Sequence, residues 1–329
     1  MRICIAGHFV AEPDEGVRTV SKHIASELSR RHLVLESNIG DPRAWRRARR
    51  FAPQILHFVL SPSNLGLLVA RLLASYCSGA KTVMSAPHPD PIWWGRLARL
   101  FRPDVTLVQS IESEQMFRRL GFNTAFFPNG VDCERFRPVL EHDKERLRDK
   151  YGIPREKYVI LHVGPLTTQR DVRCLTRLQS GDNQVIIVGR PSQHGDAKVR
   201  RELEESGCVV WLDYHPRLEE VYALSDCYVF PTPPSSRGAS IEMPLSVLEA
   251  MSCNLPVITT RFGALPRVFD EGHGLVFVNS EDDSAARVRN LKDGGSDVGT
   301  RRKVLPYSWT DVLRVLEDTY ERLLWEAQA

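Results

Sequence analysis

The chain has no Cys-x-x-Cys pair, no unbroken apolar run of membrane-spanning length, and no Gly-x-Gly-x-x-Gly behind a strand-like segment. Each absence excludes a class of protein. Seven cysteines at 4, 77, 133, 174, 208, 227 and 253 lack zinc spacing and disulfide-framework density, so they read as small apolar fillers in a reducing compartment. The apolar stretch LGLLVARLLASY at 65–76 is interrupted by Arg71, so no membrane span is expected. MRICIAGHFVAEPDEG at the start has too short an apolar run for a signal peptide, and acids follow it. The missing glycine fingerprint argues against a nicotinamide or flavin site. Internal repeats and low-complexity tracts are also missing. Two stretches contain no acid: RAWRRARR at 43–50, with five arginines, and WWGRLARLFR at 93–102, with three arginines and two tryptophans. The net charge is only +3, so basic charge is placed rather than in excess, and nucleic acid is not expected as a partner.

What is present is alternation. The 329 residues, 42% hydrophobic and 26% charged, suit an ordinary globular protein of two domains. ICIAG (3–7), ILHFVL (55–60), TVMSA (82–86) and VTLVQS (105–110) read as strands, separated by helical patterns at 17–30, 64–78 and 111–120. YVILHVG (158–164), QVIIVG (184–189), CVVWL (208–212), CYVFPT (227–232) and PVITT (256–260) repeat the theme. Alternation of this kind implies right-handed crossovers and an α/β fold of two doubly wound parallel sheets. The charged, strandless run 137–157 marks the break between the halves. The expected domains are 1–140 and 141–305, with 306–329 as a closing amphipathic helix packing back toward the first domain.

Parallel sheets bind ligands at the carboxyl ends of their strands, and a cleft between two such domains is the natural site. Residues just after strands therefore carry the most weight. In GASIEMPLSVLEAM, Pro244 cannot sit inside a helix but suits its first turn. A helix then starts near Leu245, and its free amides would attract a diphosphate. Glu242 lies on the loop before it and Glu249 one or two turns inside. A carboxylate can accept from two vicinal hydroxyls at once, although capping or a salt bridge would also account for these two residues. Arg170, in GPLTTQR after a strand, could clamp phosphate oxygens, with Gly164 beside it. Gly16 could allow close backbone approach at a helix start. His88 sits in the proline-stiffened loop SAPHPDP, whereas His57, inside a strand, reads as a core residue.

With these residues in view, the chain resembles the retaining family 4 (group 1) glycosyltransferases of the GT-B fold. FFPNGVDCERFRP resembles the family's PNGVD segment, and LSVLEAMSCNLPVITTRFGALPRVF its LEAM and Gly-Ala-Leu-Pro region. EGVRTVSKHIASEL, ALSDCYVFPT and YSWTDVLRVLEDTYERLL are similar to its first helix, its later strand and turn, and its terminal helix. The resemblance implies two Rossmann-like domains with an interdomain cleft, and a nucleoside diphosphate sugar, UDP- or GDP-linked, held mainly by the second. It implies Glu249 on the ribose hydroxyls, Arg170 in place of a lysine on the diphosphate, and Gly164 and Leu245 beside it. Gly16 would lie in a loop closing over the phosphates, with His88 near the sugar 6-hydroxyl and Glu242 at the sugar. It implies retention of configuration, no cofactor and no metal, because amide dipoles and basic side chains neutralise the leaving diphosphate.

Three departures stand out. Six residues separate Glu242 from Glu249 where seven are usual, which puts Ile241 at the aligned position. Pro165 stands where an arginine is usual. Arg170 keeps the charge of the usual lysine with a forked head. The expected function is transfer of a hexose-type sugar to a glycan, glycolipid or lipid-linked acceptor. The alternative is a non-catalytic relative that binds a sugar nucleotide or a partner. The two acid-free stretches suit an anionic membrane surface, so the expected place is the cytoplasm, peripheral at the inner face of the membrane.

Overall fold

Twelve strands, all paired in parallel, form two six-stranded sheets among the described residues of the computed structural model. Those residues are 1–7, 9, 16–60, 62–77, 79–87, 92–189, 197–212, 217–236, 241–279, 281–293 and 297–326. The chain divides into two compact units, one of Met1–Gly130, Ser240–Met243 and Trp309–Ala329, the other of Val131–Ala239 and Pro244–Ser308.

The first unit contains β1 (Arg2–Gly7), β2 (Leu33–Asn38), β3 (Ile55–Val59), β4 (Lys81–Ser85), β5 (Val105–Val108) and β6 (Thr124–Phe126), in the order β2-β1-β3-β4-β5-β6. Its helices are α1 (Gly16–Ser29), α2 (Pro42–Phe51), α3 (Asn64–Tyr76) and α4 (Ile111–Arg119), with a 3-10 helix at Gly95–Phe101. The central strands are apolar runs buried on both faces, as parallel sheets require: β3 is buried along its whole length. Ala48 of α2, Leu67, Ala70 and Leu73 of α3, and Ala98 pack with Leu56, Phe58 and Met84 in one core. Within WWGRLARLFR, Gly95–Phe101 forms a 3-10 helix. Trp94 and Phe101 turn inward and pack on each other, their centroids 5.0 Å apart.

The second unit contains α5 (Glu141–Tyr151), β7 (Tyr158–Val163), β8 (Asn183–Val188), α6 (Ala197–Glu205), β9 (Val209–Trp211), α7 (Leu218–Ala223), β10 (Cys227–Phe230) and α8 (Leu245–Ser252). It continues through β11 (Val257–Thr260), α9 (Leu265–Val268), β12 (Leu275–Val278), α10 (Glu281–Lys292) and α11 (Thr300–Val304). Its order is β12-β11-β10-β7-β8-β9, so the winding direction reverses between β7 and β10. In doubly wound sheets that reversal opens a crevice at the carboxyl ends of the two strands. Arg148 of α5 ties this unit together by bonding Asp226 at 2.6 Å and the carbonyls of Leu224 and Arg155. The charged run 137–157 is thus mostly helix, anchored to the start of β10.

The last helix, α12 (Trp309–Trp325), belongs to the first unit and packs against α1. It buries Trp309, Val312, Leu313, Leu316 and Tyr320 on one face. Trp309 stacks on His23 of α1 with centroids 4.9 Å apart. All seven cysteines are buried with free thiols. No helix among the described residues is long and apolar enough to cross a membrane.

Candidate active site

The crevice of the second unit gathers four of the expected residues. Strand β7 ends at Val163, and Gly164 follows with its amide bonded to the Val188 carbonyl at 2.9 Å. A side chain at 164 has no room: a Cβ there would lie 2.3 Å from Nη1 of Arg170. Gly189 is equally constrained, since its Cβ would lie 2.4 Å from the Gly164 carbonyl oxygen. Two glycines therefore let the ends of β7 and β8 close up and let the Arg170 guanidinium tuck beneath them. Arg170 ends a short 3-10 turn, Thr168–Arg170, rather than opening a helix, and it is buried. Burial lowers its pKa to about 10, against a raising influence from Tyr228, so it is still a cation at neutral pH.

Leu245 opens α8 behind Pro244, whose extended backbone (φ −63°, ψ 124°) ends the preceding segment. No side chain caps this helix; the Val247 and Leu248 amides turn back to the Pro244 carbonyl, and those of Leu245 and Ser246 are presented at the positive end of the helix dipole. One turn further, Glu249 accepts a 2.8 Å hydrogen bond at Oε2 from the Tyr222 hydroxyl. Tyr222 is fully buried. Burial first, and the nearby Glu249 charge second, push its pKa well above the ordinary tyrosine value. It therefore remains a donor and fixes the carboxylate's orientation. Tyr228, on β10, feels both charges: Arg170 favours its ionised form and Glu249 opposes it. The crevice thus pairs a buried cation and bare helix amides with an oriented carboxylate.

His162, on β7, is a site residue that sequence reasoning passed over. Its Nδ1 donates to the Val229 carbonyl at 2.9 Å, across the winding reversal. Its Nε2 is buried and has no partner. Burial lowers its pKa to about 4, so the ring is neutral and Nε2 offers a lone pair. The hydroxyls of Thr167, just after β7, and Thr232, just after β10, are also buried without partners. Buried polar atoms are rarely left so unless something else satisfies them. A histidine two residues before the glycine that follows the strand was the available signal, but its apolar surroundings, YVILHVG, made it look like core.

The first unit holds Gly16 and Glu242. Gly16 is the first residue of α1. Glu242 accepts from the Ser110 amide at 3.1 Å, from the Ser110 hydroxyl at 2.7 Å, and from the Ser113 hydroxyl. Ser110 is the N-cap of α4, so the carboxylate sits on a helix N-terminus. Burial raises the pKa of Glu242, while the serine donors pull it down. Its neighbour Met243 is held the same way. The Met243 amide donates to Gln109 Oε1 at 3.0 Å, and its carbonyl accepts from Asn129 at 2.7 Å. Asn129 belongs to the PNGVD segment, so that motif stitches residues 242–243 to the end of β5. His88 lies outside the described residues. No group of three His, Cys, Asp or Glu side chains poised to hold a metal occurs among the described residues.

Comparison with known proteins agrees with this geometry. Residues 158–293, which apart from 240–243 lie in the second unit, match the family model for glycosyl transferases group 1. The sulfoquinovosyl transferase SQD2 of Arabidopsis thaliana is 25% identical over 86% of this chain and 60% of its own length. The D-inositol 3-phosphate glycosyltransferase of Corynebacterium jeikeium is 34% identical over 48% of this chain and 40% of its own. The chain thus spans only 40% to 60% of the length of these two relatives. The crystal structure of Anabaena HepE in complex with UDP superimposes with a TM-score of 0.76 at 13% identity, covering 98% of this chain and 100% of that one. The same protein in complex with UDP-glucose gives 0.75. That likeness is one of fold: two Rossmann-like domains of the GT-B class.

Proposed function

We propose, from the match of residues 158–293 to the group 1 glycosyl transferase model, that this chain moves a hexose-type sugar from a nucleoside diphosphate sugar to a glycan, glycolipid or lipid-linked acceptor. The observation that carries this reading is the winding reversal of the second sheet, where buried Arg170, the uncapped α8 and Tyr222-braced Glu249 meet one crevice. Glu249 would take the ribose hydroxyls. The amides of Leu245 and Ser246 and the Arg170 guanidinium, with Gly164 giving room, would take the diphosphate. As the C1–O bond breaks, its electron pair goes to the departing phosphate oxygen, and that new charge meets a preorganised cation and dipole. Positive charge supplied this way would make a divalent ion unnecessary. Retention requires the acceptor oxygen to bond C1 on the face the phosphate leaves, its proton passing to the departing phosphate oxygen.

Glu242, His88 and Gly16 enter the proposal more indirectly. Glu242, anchored on α4, would hold residues 242–243 within the first unit. His88 would meet the sugar and Gly16 the phosphates. UDP is favoured as the nucleotide because HepE is described with UDP and UDP-glucose. Calorimetric titration and transfer assays with UDP- and GDP-sugars test the reading. Glu249→Ala should weaken nucleotide binding roughly ten- to hundredfold, as for loss of a charged hydrogen bond. It should also abolish discrimination between UDP and 2′-deoxy-UDP; full activity, or discrimination kept, would contradict the assignment. Pro165 and Ile241 favour a second reading, a sugar-nucleotide-binding relative without transfer. A donor that raises the melting temperature but is never turned over selects that reading.

A further inference from the structure

We propose that the outer face of the α2–α3 layer of the first unit docks on an anionic lipid bilayer. Three elements lie side by side on one face of the first sheet. They are α2, α3 and the 3-10 helix Gly95–Phe101, which pack on each other and share one core beneath. Their outward sides break the usual rule for a soluble layer. Leu65 and Leu72 on α3 and Trp93, Leu97 and Leu100 at the 3-10 helix are all more than half exposed, Trp93 to 83%. The inner positions are already filled: Leu67, Ala70, Leu73 and Ala98 are buried. The exposed residues are therefore surplus to the core. Five large apolar side chains exposed on adjacent elements mark an interaction site.

The charges around this patch decide what covers it. The three elements carry five, one and two arginines and no acid at all. The whole chain has a net charge of only +3, so the remainder is net acidic and the cation excess is concentrated here. Arg43, Arg46, Arg47 and Arg50 form the exposed stripe of α2, opposite its buried Ala44 and Ala48. Asp41, the α2 N-cap, reaches Arg47 at 3.6 Å. Arg49 lies over the ring of Tyr76 at 4.8 Å, which joins the basic stripe to the apolar one. A protein partner would ask for pockets and paired hydrogen bonds. Leucines, an exposed tryptophan and an acid-free arginine rim instead match the interface of a bilayer with negative headgroups. The inference goes beyond the transfer reaction and does not depend on it.

Vesicle co-sedimentation of the full chain tests it. Phosphatidylcholine vesicles containing phosphatidylglycerol should pellet the protein, and pure phosphatidylcholine should not. Raising salt from about 0.05 M to about 0.5 M should release it, as screening shortens the reach of the arginines. The triple change Trp93→Ala, Leu97→Ala, Leu100→Ala should cut partitioning at least about tenfold. Arg43→Gln, Arg46→Gln, Arg50→Gln should cut it by roughly fivefold per arginine. All six side chains are at the surface, so folding should survive, and an unchanged melting curve verifies that. Glu249→Ala should pellet like the parent, which separates this surface from the nucleotide site. No pelleting with anionic vesicles at low salt overturns the proposal. So does pelleting that both triple variants leave unchanged, or a self-associated chain that ignores vesicles and that the apolar triple change makes monomeric.

Discussion

At the scale of single residues, the nucleotide crevice depends on a missing side chain. Gly164 matters less for its backbone freedom than for the volume that Arg170 occupies beside it. The clash in Gly164→Ala falls on the far end of a long side chain, so the fold can survive by moving the guanidinium. The expected result is an unchanged far-ultraviolet spectrum with UDP affinity lowered about tenfold, corresponding to roughly 1.4 kcal/mol. Unchanged affinity would show that Arg170 contributes nothing where it sits. Two histidines give a pH signature. Burial lowers the pKa of His57 to about 3 and that of His162 to about 4. Unfolded, each titrates near 6.5. Below that pH the unfolded chain takes up protons that the folded chain refuses, so stability falls as pH falls. The slope is about 1 kcal/mol per pH unit for each ring. Urea unfolding at pH 7 and pH 5 should show this loss, and His57→Gln should remove its share. Equal losses in both proteins would mean that the ring is already charged in the fold. His57 was expected in the core and is fully buried, but the open nitrogen of His162 was not legible, because a histidine in an apolar strand looks the same whether both ring nitrogens are satisfied or one is left open.

At the scale of elements, the strands that the sequence displays are the central ones together with one edge strand, β9. β1, β3, β7, β8, β10 and β11 are runs of Val, Ile, Leu and aromatic residues, since helices cover both faces of the sheet. β2 (LVLESN), β6 (TAF) and β12 (LVFV) escape notice because they are sheet edges. Such strands are short or mixed in polarity, with no second neighbour to demand an apolar run. The Glu242 anchor was hidden for another reason. Its partner Ser110 is 132 positions away, and no local pattern encodes a pairing at that separation. The last helix carries a similar long-range bond. The Tyr320 hydroxyl lies 2.6 Å from Nδ1 of His57, whose Nε2 faces Ser85 Oγ at 2.7 Å. Tyr320→Phe keeps the ring's packing but leaves a buried nitrogen with no partner. It should cost about 1–3 kcal/mol, read as a shifted denaturation midpoint with an unchanged slope. A shift of a few tenths would mean the bond is dispensable.

At the scale of the whole molecule, the two alternating halves were legible and a closing helix returning to the first unit was expected, but nothing in the sequence signalled that residues 240–243 also join that unit. Its last piece returns after the entire second unit, and its fit is specific. At Gly130, in the PNGVD segment, a Cβ would lie 2.5 Å from the Trp309 indole, so the motif's glycine makes room for the first residue of α12. That helix buries five large apolar side chains. At about 1.5–3 kcal/mol each, they are together worth on the order of 10 kcal/mol, as much as a typical domain's entire stability. A chain ending at Ser308 should therefore lose the first unit as a folded body. The second unit, Val131–Ser308 with its short excursion at 240–243, keeps its own sheet and core. Limited proteolysis of the truncated chain should digest residues before 130 within minutes while leaving a resistant fragment from about 131 to 308. That fragment should still bind UDP through Glu249 and Arg170. If the first unit resisted protease without α12, its sheet would be stable alone and the returning helix would be an accessory.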